Sequence, residues 1–349
     1  MKPNLKYIAL FVSSLMLFAA CKKNNPAPAK NSPPPVDVYV TGISGDTALC
    51  WIDGTPSYLT DGSHNAYAHS IYVSDNNIVY VAGEEFVIDN FTDQFMAAYW
   101  DNQQITFLTN GQQTSMSSGA SIFVSDNDVY VGGFEYKNGA RYATCWKNGT
   151  PNIVSSKFSS ANSVFVLGND VYLGGGLPSD TTRLSTINAA YWKNGLLISL
   201  TKGDTTGDIS SIVASGPHVY SAGYAAFADG QHAAYWKDTT IVKLANSPVG
   251  SSASSICVSG GDVFVAGYQT INGSNVATYW KNNVPVTLSA KSSNALSIFL
   301  FGSDIYVAGY EDDSNGLPIA TYWKNGVAMH IGYKGSTAYS IFVKARLAL

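Results

Sequence analysis

The glutamates are the residues whose positions point most directly to chemistry. The sequence has only four: Glu84, Glu85, Glu135 and Glu311. Each follows, within two residues, the glycine that ends a short apolar segment of the V-Y-V-x-G type. Aspartates in the same stretches are Asp46, Asp89, Asp93, Asp312 and Asp313. Carboxylates held close together raise one another's pKa or recruit a cation, so acid–base catalysis and metal binding are the two chemistries to consider.

One of these stretches resembles the first half of a calcium-binding loop. Residues 311–316 read Glu-Asp-Asp-Ser-Asn-Gly, with oxygen donors at positions 1, 3 and 5 and a glycine at position 6. The glutamate expected at position 12 is missing, because residue 322 is Tyr. The pattern makes Glu311, Asp313 and Asn315 candidate ligands for Ca²⁺, and a solvated polar turn is the alternative. No other cofactor is predicted.

Motifs of the common enzyme classes are absent from the sequence. It contains no His-Glu-x-x-His, no Cys-x-x-Cys and no P-loop. The five histidines are spread over several segments, and no pair has metal-ligand spacing. The sequence therefore predicts no catalytic residue.

The elements that must position the carboxylates form a repeat. Every tryptophan lies in a phrase such as A-Y-W-K-N-G that recurs every 43 to 49 residues: Trp51, Trp100, Trp146, Trp192, Trp236, Trp280 and Trp323. Each repeat holds four β-type segments, S-I-F-V, V-Y-V-x-G, the tryptophan phrase and a weaker apolar run, which we name strands A to D. A period of this size predicts a β-propeller blade.

Two residues of the repeat have both structural and functional interpretations. The tryptophan could stack on a sugar or a base, but its sevenfold recurrence favours packing between adjacent blades. The serine that begins strand A could form a ring of binding hydroxyls. Hydrogen bonding to the backbone of the neighbouring blade is the interpretation that the repetition favours.

The incomplete first and last repeats predict a closed seven-bladed ring. The first begins at strand B, near Val36, and the last consists of strand A alone, Ser340 to Val343. Together they make one blade, and pairing the first and last strands removes the exposed edges of an open array. We therefore expect an all-β propeller of four-stranded antiparallel blades over residues 36–349.

The first 35 residues predict export and anchoring. Lys2 and Lys6 precede an apolar stretch too short to span a bilayer, and residues 18–21 read Phe-Ala-Ala-Cys. This segment resembles the signal of bacterial lipoproteins, which implies cleavage after residue 20, lipidation of Cys21 and attachment to the cell envelope through the lipid. Residues 22–35 are Pro-rich and predict a semi-rigid tether.

Composition limits the partners. The net charge is −4 and the only arginines are Arg141, Arg183 and Arg346, so no basic stripe indicates nucleic acid. The remaining cysteines, Cys50, Cys145 and Cys257, do not have the pattern of a disulfide framework and are expected to be buried apolar fillers. We expect a monomer.

The phrase order resembles the HAF-type repeats of bacterial extracellular proteins, and also kelch repeats. A glycine pair ends strand B in two blades, at Gly132-Gly133 and Gly174-Gly175, as in kelch repeats. The resemblance implies a propeller and says almost nothing about activity.

Loop lengths predict which face is functional. The A–B and C–D turns are short and uniform, whereas the B–C and D–A connections vary, and in a propeller these share one face. The sequence favours a binding module for a glycan, a peptide or an envelope protein. An acidic arc is expected at the mouths of the B–C loops, and it gathers Asp46, Glu84, Glu85, Glu135, Glu311, Asp312 and Asp313. All of these except Asp46 are the candidate ligand-binding residues. The alternatives are a polysaccharide- or peptide-degrading enzyme that uses these carboxylates, and a lectin with one site per blade.

Overall fold

The structure is a ring of seven four-stranded antiparallel sheets, which confirms the predicted fold class. The computed structural model describes residues 35–88, 93–110, 116–180, 183–201, 205–244 and 248–346. The strands of the first three blades are β28 (Ser336–Ala345), β1 (Val36–Ser44), β2 (Thr47–Ile52), β3 (Thr55–Tyr58); β4 (Ala66–Val73), β5 (Val79–Ile88), β6 (Asp93–Asp101), β7 (Gln104–Phe107); β8 (Ser118–Ser125), β9 (Asp128–Lys137), β10 (Ala140–Lys147), β11 (Thr150–Lys157).

Blades 4 to 7 continue the same order A, B, C, D from the axis outward. Their strands are β12 (Ser160–Leu167), β13 (Asp170–Asp180), β14 (Arg183–Lys193), β15 (Leu196–Ser199); β16 (Gly207–Ser215), β17 (His218–Phe227), β18 (Gly230–Lys237), β19 (Thr240–Lys243); β20 (Ser252–Ser259), β21 (Asp262–Ile271), β22 (Ser274–Lys281), β23 (Val284–Thr287); β24 (Ser293–Phe301), β25 (Asp304–Asp312), β26 (Pro318–Lys324), β27 (Val327–Lys334). The seven A strands contact their neighbours in an unbroken cycle.

The ring closes as the incomplete repeats predict. Strand β28, from the C-terminal end, pairs antiparallel with β1 along its whole length, from Val36 opposite Ala345 to Ser44 opposite Ser336. Two ion pairs join the same seam, because the guanidinium of Arg346 contacts the carboxylates of Asp37 and Asp53. Blade 1 is thus built from both ends of the propeller segment.

The repeated serine joins each blade to the next. In all seven blades its Oγ accepts a hydrogen bond from a backbone N–H of the following A strand, at 3.1–3.3 Å. The serines are Ser70, Ser121, Ser163, Ser211, Ser255, Ser297 and Ser340. The structure therefore supports the backbone-bonding interpretation over a ring of free hydroxyls.

The glycine that ends V-Y-V-x-G is required by a bulge in strand A. Each A–B register skips the residue before the serine, and this bulge brings a strand A carbonyl against the strand B glycine. A Cβ on Gly83 would lie 1.8 Å from the carbonyl oxygen of Tyr67, and the other six glycines have the same conflict at 1.8–2.1 Å. Only glycine fits there, which explains its sevenfold recurrence.

The tryptophans fill the gaps between blades. All seven are at most 2% exposed. Each lies in a cluster with side chains of the preceding blade, as Trp51 does with Tyr306 and Ala308 of blade 7. Burial of so large a side chain at every joint makes the tryptophans the main apolar contribution to the ring.

The Lys-Asn-Gly turn joins strands C and D and also bonds strand B. Asn148 and Gly149 both have positive φ (50° and 79°), as a two-residue hairpin turn requires. The Asn148 side chain also accepts a hydrogen bond of 2.8 Å from the N–H of Val129, the second residue of β9. An Asn or Asp makes this bond in every blade. The turn therefore sets the register of strands B and C.

The prediction of variable B–C loops is wrong for most blades. Strands B and C extend beyond the expected ends and meet in two-residue turns in blades 1, 3, 5 and 6, as at Asn138-Gly139. The D–A connections carry the variation, from the single residue Gly335 in front of β28 to the stretch between β7 and β8. The polar stretches that suggested loops lie mainly on the ends of strands B and C. Polar and apolar residues alternate there, so the backbones still pair as a ladder.

The three cysteines of the propeller carry no disulfide among the described residues. Cys50, Cys145 and Cys257 are free thiols, and burial raises the pKa of each to about 12. The described residues include no helix with the length and apolarity needed to cross a membrane. Cys21, the predicted signal and residues 22–34 lie outside the described residues.

Candidate functional site

One layer of side chains surrounds the axis at the B–C end of the ring, and we call it the rim layer. It consists of the strand B residue after the repeated glycine and the strand A residue three before the repeated serine. On strand B these are Ile43, Glu84, Phe134, Gly176, Tyr224, Tyr268 and Tyr310. On strand A they are Tyr67, Ser118, Ser160, Asp208, Ser252, Asn294 and Thr337. Five of the seven strand B positions are apolar or aromatic, so the two carboxylates in the layer are conspicuous.

Glu84 is a buried carboxylate with three hydrogen bonds. It is 8% exposed. Its Oε1 and Oε2 lie 3.0 and 2.9 Å from Nε2 of His69, and Oε2 also accepts a hydrogen bond of 2.5 Å from the Oγ of Ser118 in blade 3. A histidine is therefore the partner of Glu84, 15 positions away in the sequence. The sequence separation of His69 and Glu84 hid a contact that the A–B hairpin creates.

His69 is the bulged residue of strand A in blade 2, and aromatic rings surround it. Its imidazole stacks on Tyr67 (centroids 6.0 Å apart, planes at 5°) and meets Tyr339 of blade 1 at 5.5 Å. Nε2 is the nitrogen that donates to Glu84, so Nδ1 carries the lone pair when the imidazole is neutral, and no described residue hydrogen-bonds Nδ1. The carboxylate thus fixes the tautomer of a half-buried histidine that keeps one acceptor free.

Tyr339 places a protonated phenol beside this pair. Burial raises the pKa of Tyr339 to about 12, with smaller contributions from Tyr67, Glu84 and Tyr310. Tyr339 occupies in blade 1 the bulged position that His69 occupies in blade 2. The group formed by His69, Glu84, Ser118, Tyr67 and Tyr339, which we call the His69 cluster, offers hydrogen-bond donors, one acceptor and aromatic faces.

The second carboxylate, Asp208, lies at the joint between blades 4 and 5. Its Oδ1 accepts hydrogen bonds from the N–H of Ile209 (2.8 Å) and from Nδ2 of Asn162 (3.3 Å). Desolvation raises the pKa of Asp208 to about 6, although these hydrogen bonds and the charge of Arg141 act in the opposite direction. Gly176 leaves the space for it, since a Cβ there would lie 2.6 Å from Oδ1.

The two carboxylates are held by equivalent residues. Asn162 is the bulged residue of strand A in blade 4, as His69 is in blade 2. In both joints the bulged side chain of the earlier blade bonds a carboxylate in the gap to the next blade, although the acid comes from strand B in one and from strand A in the other. The bulge therefore directs the side chains that meet the rim layer.

The remaining glutamates do not join this group. Glu85 is adjacent to Glu84 on β5 and so points to the opposite face of the blade, where burial raises its pKa near His64 and Asp61. Glu135 lies half-buried on β9. Glu311 is buried on β25, with its Oε2 3.6 Å from Nε2 of His330 and 3.9 Å from Nζ of Lys291. The glutamates lie on strands rather than in loop mouths and have different partners, and the acidic arc stays a prediction.

Asp313 accepts the hydrogen bonds and the ion pair that organise the candidate calcium loop. Its Oδ1 accepts the N–H groups of Asn315 (2.8 Å) and Leu317 (3.0 Å), and its Oδ2 lies 2.7 Å from Nζ of Lys334. Lys334 and these backbone donors lower the pKa of Asp313 to about 2. Asp312 accepts a hydrogen bond of 2.6 Å from Ser292. Within the described ranges no three His, Cys, Asp or Glu side chains form a group that could hold a metal, so calcium binding gains no support and stays a prediction.

The other aspartates have separate locations. Asp46 is exposed in the turn between β1 and β2, and Asp93 begins β6. Asp89 lies outside the described residues.

Sequence reasoning missed His69, Asn162, Asp208 and Tyr339. The signal that finds them is departure from the repeat: aligned on the serine, the bulged position reads His, Ala, Asn, Ser, Ser, Leu and Tyr in blades 2 to 7 and 1. Asp208 is the one acid among seven residues at its position. The residues that recur in every repeat indicate the scaffold, whereas the residues of the candidate site are those that differ between repeats.

Comparison with known proteins shows the fold alone. No family model and no curated protein matches the sequence. A puromycin-hydrolysing peptidase of Mycobacterium tuberculosis aligns with 86% of this chain at 9% identity and a TM-score of 0.56. The chain spans 53% of that peptidase, about half of its length.

Two further solved structures align at lower TM-scores. The β-propeller domain of the Trilobed protease from Pyrococcus furiosus aligns with 86% of this chain and 95% of its own, at 8% identity and a TM-score of 0.49. TolB from Acinetobacter baumannii aligns with 88% of this chain and 82% of its own, at 8% identity and a TM-score of 0.47.

Proposed function

We propose that the protein is a binding module of the bacterial cell envelope that takes a carbohydrate at the rim layer. The observation that carries this proposal is the His69 cluster, where a carboxylate-oriented imidazole lies between the rings of Tyr67 and Tyr339. A sugar ring has apolar C–H faces that pack on aromatic rings and hydroxyls that donate to an acceptor such as Nδ1 of His69. The half-buried tyrosines of the rim layer extend the same type of surface around the axis.

Binding is favoured over catalysis by the state of Glu84. Both of its oxygens already accept hydrogen bonds, from His69 and Ser118. A nucleophile or general base needs an oxygen that faces the substrate, and Glu84 instead acts on its neighbours by fixing the His69 ring. A peptide or envelope-protein ligand would use the same donors, but the stacked arrangement suits a pyranose better.

One observation favours a second candidate function, glycoside hydrolysis. Desolvation raises the pKa of Asp208 to about 6, which is the property of a general acid at neutral pH. A hydrolase needs a second carboxylate across the scissile bond, and Glu84 belongs to a different joint of the ring. The experiment below therefore includes a hydrolysis readout.

A glycan array with the full-length protein tests the proposal. His69→Ala and Tyr339→Ala are expected to weaken binding of the glycans that the parent retains, while His218→Ala is the matched control. His218 pairs with Asp238 at the opposite, A–B end of the ring, with Nδ1 and Oδ2 2.8 Å apart. Equal binding by all four proteins would refute a site at the His69 cluster, and sugar release that is lost in Asp208→Asn would favour the hydrolase.

The envelope location is a separate part of the proposal. The lipoprotein-like segment that ends at Cys21 and the Pro-rich stretch 22–35 support an acylated anchor and tether, and the phrase order supports kinship with HAF-type and kelch-like repeats. Cys21→Ser is expected to release the protein from membranes or to leave its signal uncleaved. Unchanged fractionation together with unchanged mass would contradict lipidation.

A further inference from the structure

A cavity between blades 3 and 4 contains an arginine, Arg141, that forms no ion pair within 4.0 Å with the described residues. The cavity has a volume of about 290 Å³ and is lined by Tyr136, Arg141, Phe158, Pro178 and Ile187. Arg141 lies opposite Tyr136 in the β9–β10 ladder, next to the B–C turn, so the cavity opens at the same end as the rim layer. Its volume is at the lower end of the range for small-molecule sites, about 300–1,000 Å³, and suits one sugar ring.

The guanidinium of Arg141 makes no direct ion pair with a described residue, although its charge acts on the nearby carboxylate of Asp208. It lies 5.1 Å from the ring centroid of Phe134, and among the described residues no carboxylate pairs with it within 4.0 Å. The other arginine with a described side chain, Arg346, contacts two carboxylates. A planar guanidinium held on an aromatic face, with no direct ion pair in the described part of the chain, is suited to a bidentate carboxylate ligand.

The wall of the cavity shows backbone strain at Phe158. This residue has φ 63°, a left-handed conformation that is costly for a bulky non-glycine side chain. Such conformations cluster where a binding site fixes the position of a side chain. With Tyr136 and Pro178, the Phe158 ring gives the cavity flat apolar surfaces beside the guanidinium of Arg141.

The cavity also adjoins the rim layer. A Cβ on Gly176 would lie 2.5 Å from Cγ2 of Ile187, which lines the cavity, and 2.6 Å from Oδ1 of Asp208. Ile187 and Asp208 therefore flank the same point. A chain of sugars could occupy the cavity and the rim layer together.

We infer that this cavity binds a uronate, with Arg141 holding its carboxylate and the aromatic wall packing on its ring. The inference rests on the proposed carbohydrate function and names the ligand class as an acidic glycan. A carboxylate at the end of a peptide would meet the same cation, but the flat walls on two sides favour the pyranose ring.

Binding of glucuronate by the full-length protein, measured by titration calorimetry, tests this inference. Glucose is the neutral control ligand, and N-acetylleucine is an amino-acid derivative that also carries a carboxylate. Arg141→Gln is expected to weaken glucuronate binding about tenfold or more, and Arg141→Lys should restore part of it, because lysine keeps the charge but not the planar fork.

Two further variants keep the outcomes distinct. Lys237→Gln removes one positive charge near Tyr220 at the opposite end of blade 5 and should leave glucuronate binding unchanged. His69→Ala should leave the Arg141-dependent part of glucuronate binding unchanged, because the His69 cluster lies at a different joint of the ring, and binding of neutral glycans by the parent protein reports that cluster separately. Failure of the rim-layer function would therefore appear as loss of neutral glycan binding, separate from the result at Arg141.

Three results would overturn the inference. These are equal affinity for glucose and glucuronate, no effect of Arg141→Gln, and absence of glucuronate binding at millimolar concentration. Tighter binding of N-acetylleucine, sensitive to Arg141→Gln, would assign the cavity to a peptide carboxylate instead.

Discussion

The Oγ of Ser340 accepts a hydrogen bond of 3.3 Å from the backbone N–H of Ile71, although the two residues are 269 positions apart. Six other serines make the same bond to the blade that follows them in the chain. The joint between the closing blade and blade 2 is therefore built like every other joint. Since β28 supplies this serine, the C-terminal strand holds two blades together.

Ending the chain after Gly335 is expected to abolish cooperative folding or to lower the melting temperature sharply. The truncation removes the ladder from Val36 to Ser44 and the Ser340 bond together. Thermal unfolding followed by circular dichroism measures the effect. Arg346→Gln is the control, because it removes only ion pairs at the surface, which contribute little to stability. A truncated protein as stable as this control would argue against closure.

Gly267→Ala is expected to destabilise the protein by about 3 kcal/mol or more, because overpacking against rigid atoms has no relief. The new Cβ would lie 2.1 Å from the carbonyl oxygen of Ser252 and 2.8 Å from Cα of Ala253. Gly260→Ala in the same blade is the matched control. Its Cβ meets nothing within 4 Å, so only the cost of φ +59° applies, about 1 kcal/mol. Similar urea midpoints for the two variants would refute the bulge explanation.

Asp208 is expected to make the protein less stable as the pH rises from about 4 to about 7. Its folded-state pKa of about 6 lies above the unfolded value of about 3.9, so the folded state binds the proton more tightly. Stability from this group is complete below pH ~4 and is lost as the pH rises through 6, by at most about 3 kcal/mol. Asp208→Asn cannot ionise, so the difference in free energy of unfolding between parent and variant should change over this range. Parallel profiles would show that the pKa is not raised.

Calcium is expected to leave the melting temperature unchanged, because Lys334 and the N–H groups of Asn315 and Leu317 already occupy the Asp313 carboxylate. Melting with millimolar CaCl₂ and with EDTA tests this expectation, and Asp313→Asn serves as the comparison. A rise with calcium that disappears in Asp313→Asn would restore the calcium hypothesis for residues 311–316.

The sequence was sufficient to predict the scaffold because scaffold residues recur. Trp51 and its six equivalents, the strand A serines and the strand B glycines each meet the same steric or hydrogen-bonding demand seven times. The site was not predictable in this way. Glu84 was recognised as unusual, but its partner His69 became visible only when the bulge placed the imidazole beside the carboxylate.

Asp208 was overlooked for a related reason. Composition drew attention to the rare glutamates, while aspartate is common in the turns of every blade, and what distinguishes Asp208 is its location in a gap left by Gly176. The loop prediction failed because the length of a polar stretch does not reveal whether two strands continue to pair through it, as β13 and β14 do up to Asp180 and Arg183.

The division of labour within each blade has a consequence for how such a protein can change its specificity. Tryptophan, serine, glycine and the turn asparagine or aspartate recur in every joint and turn, whereas the bulged residue and the rim-layer residues differ from blade to blade. Substitutions at the varying positions can occur in any of the seven blades while the recurring contacts of the joints are kept. New recognition surfaces on the ring can therefore evolve, or be engineered, one blade at a time.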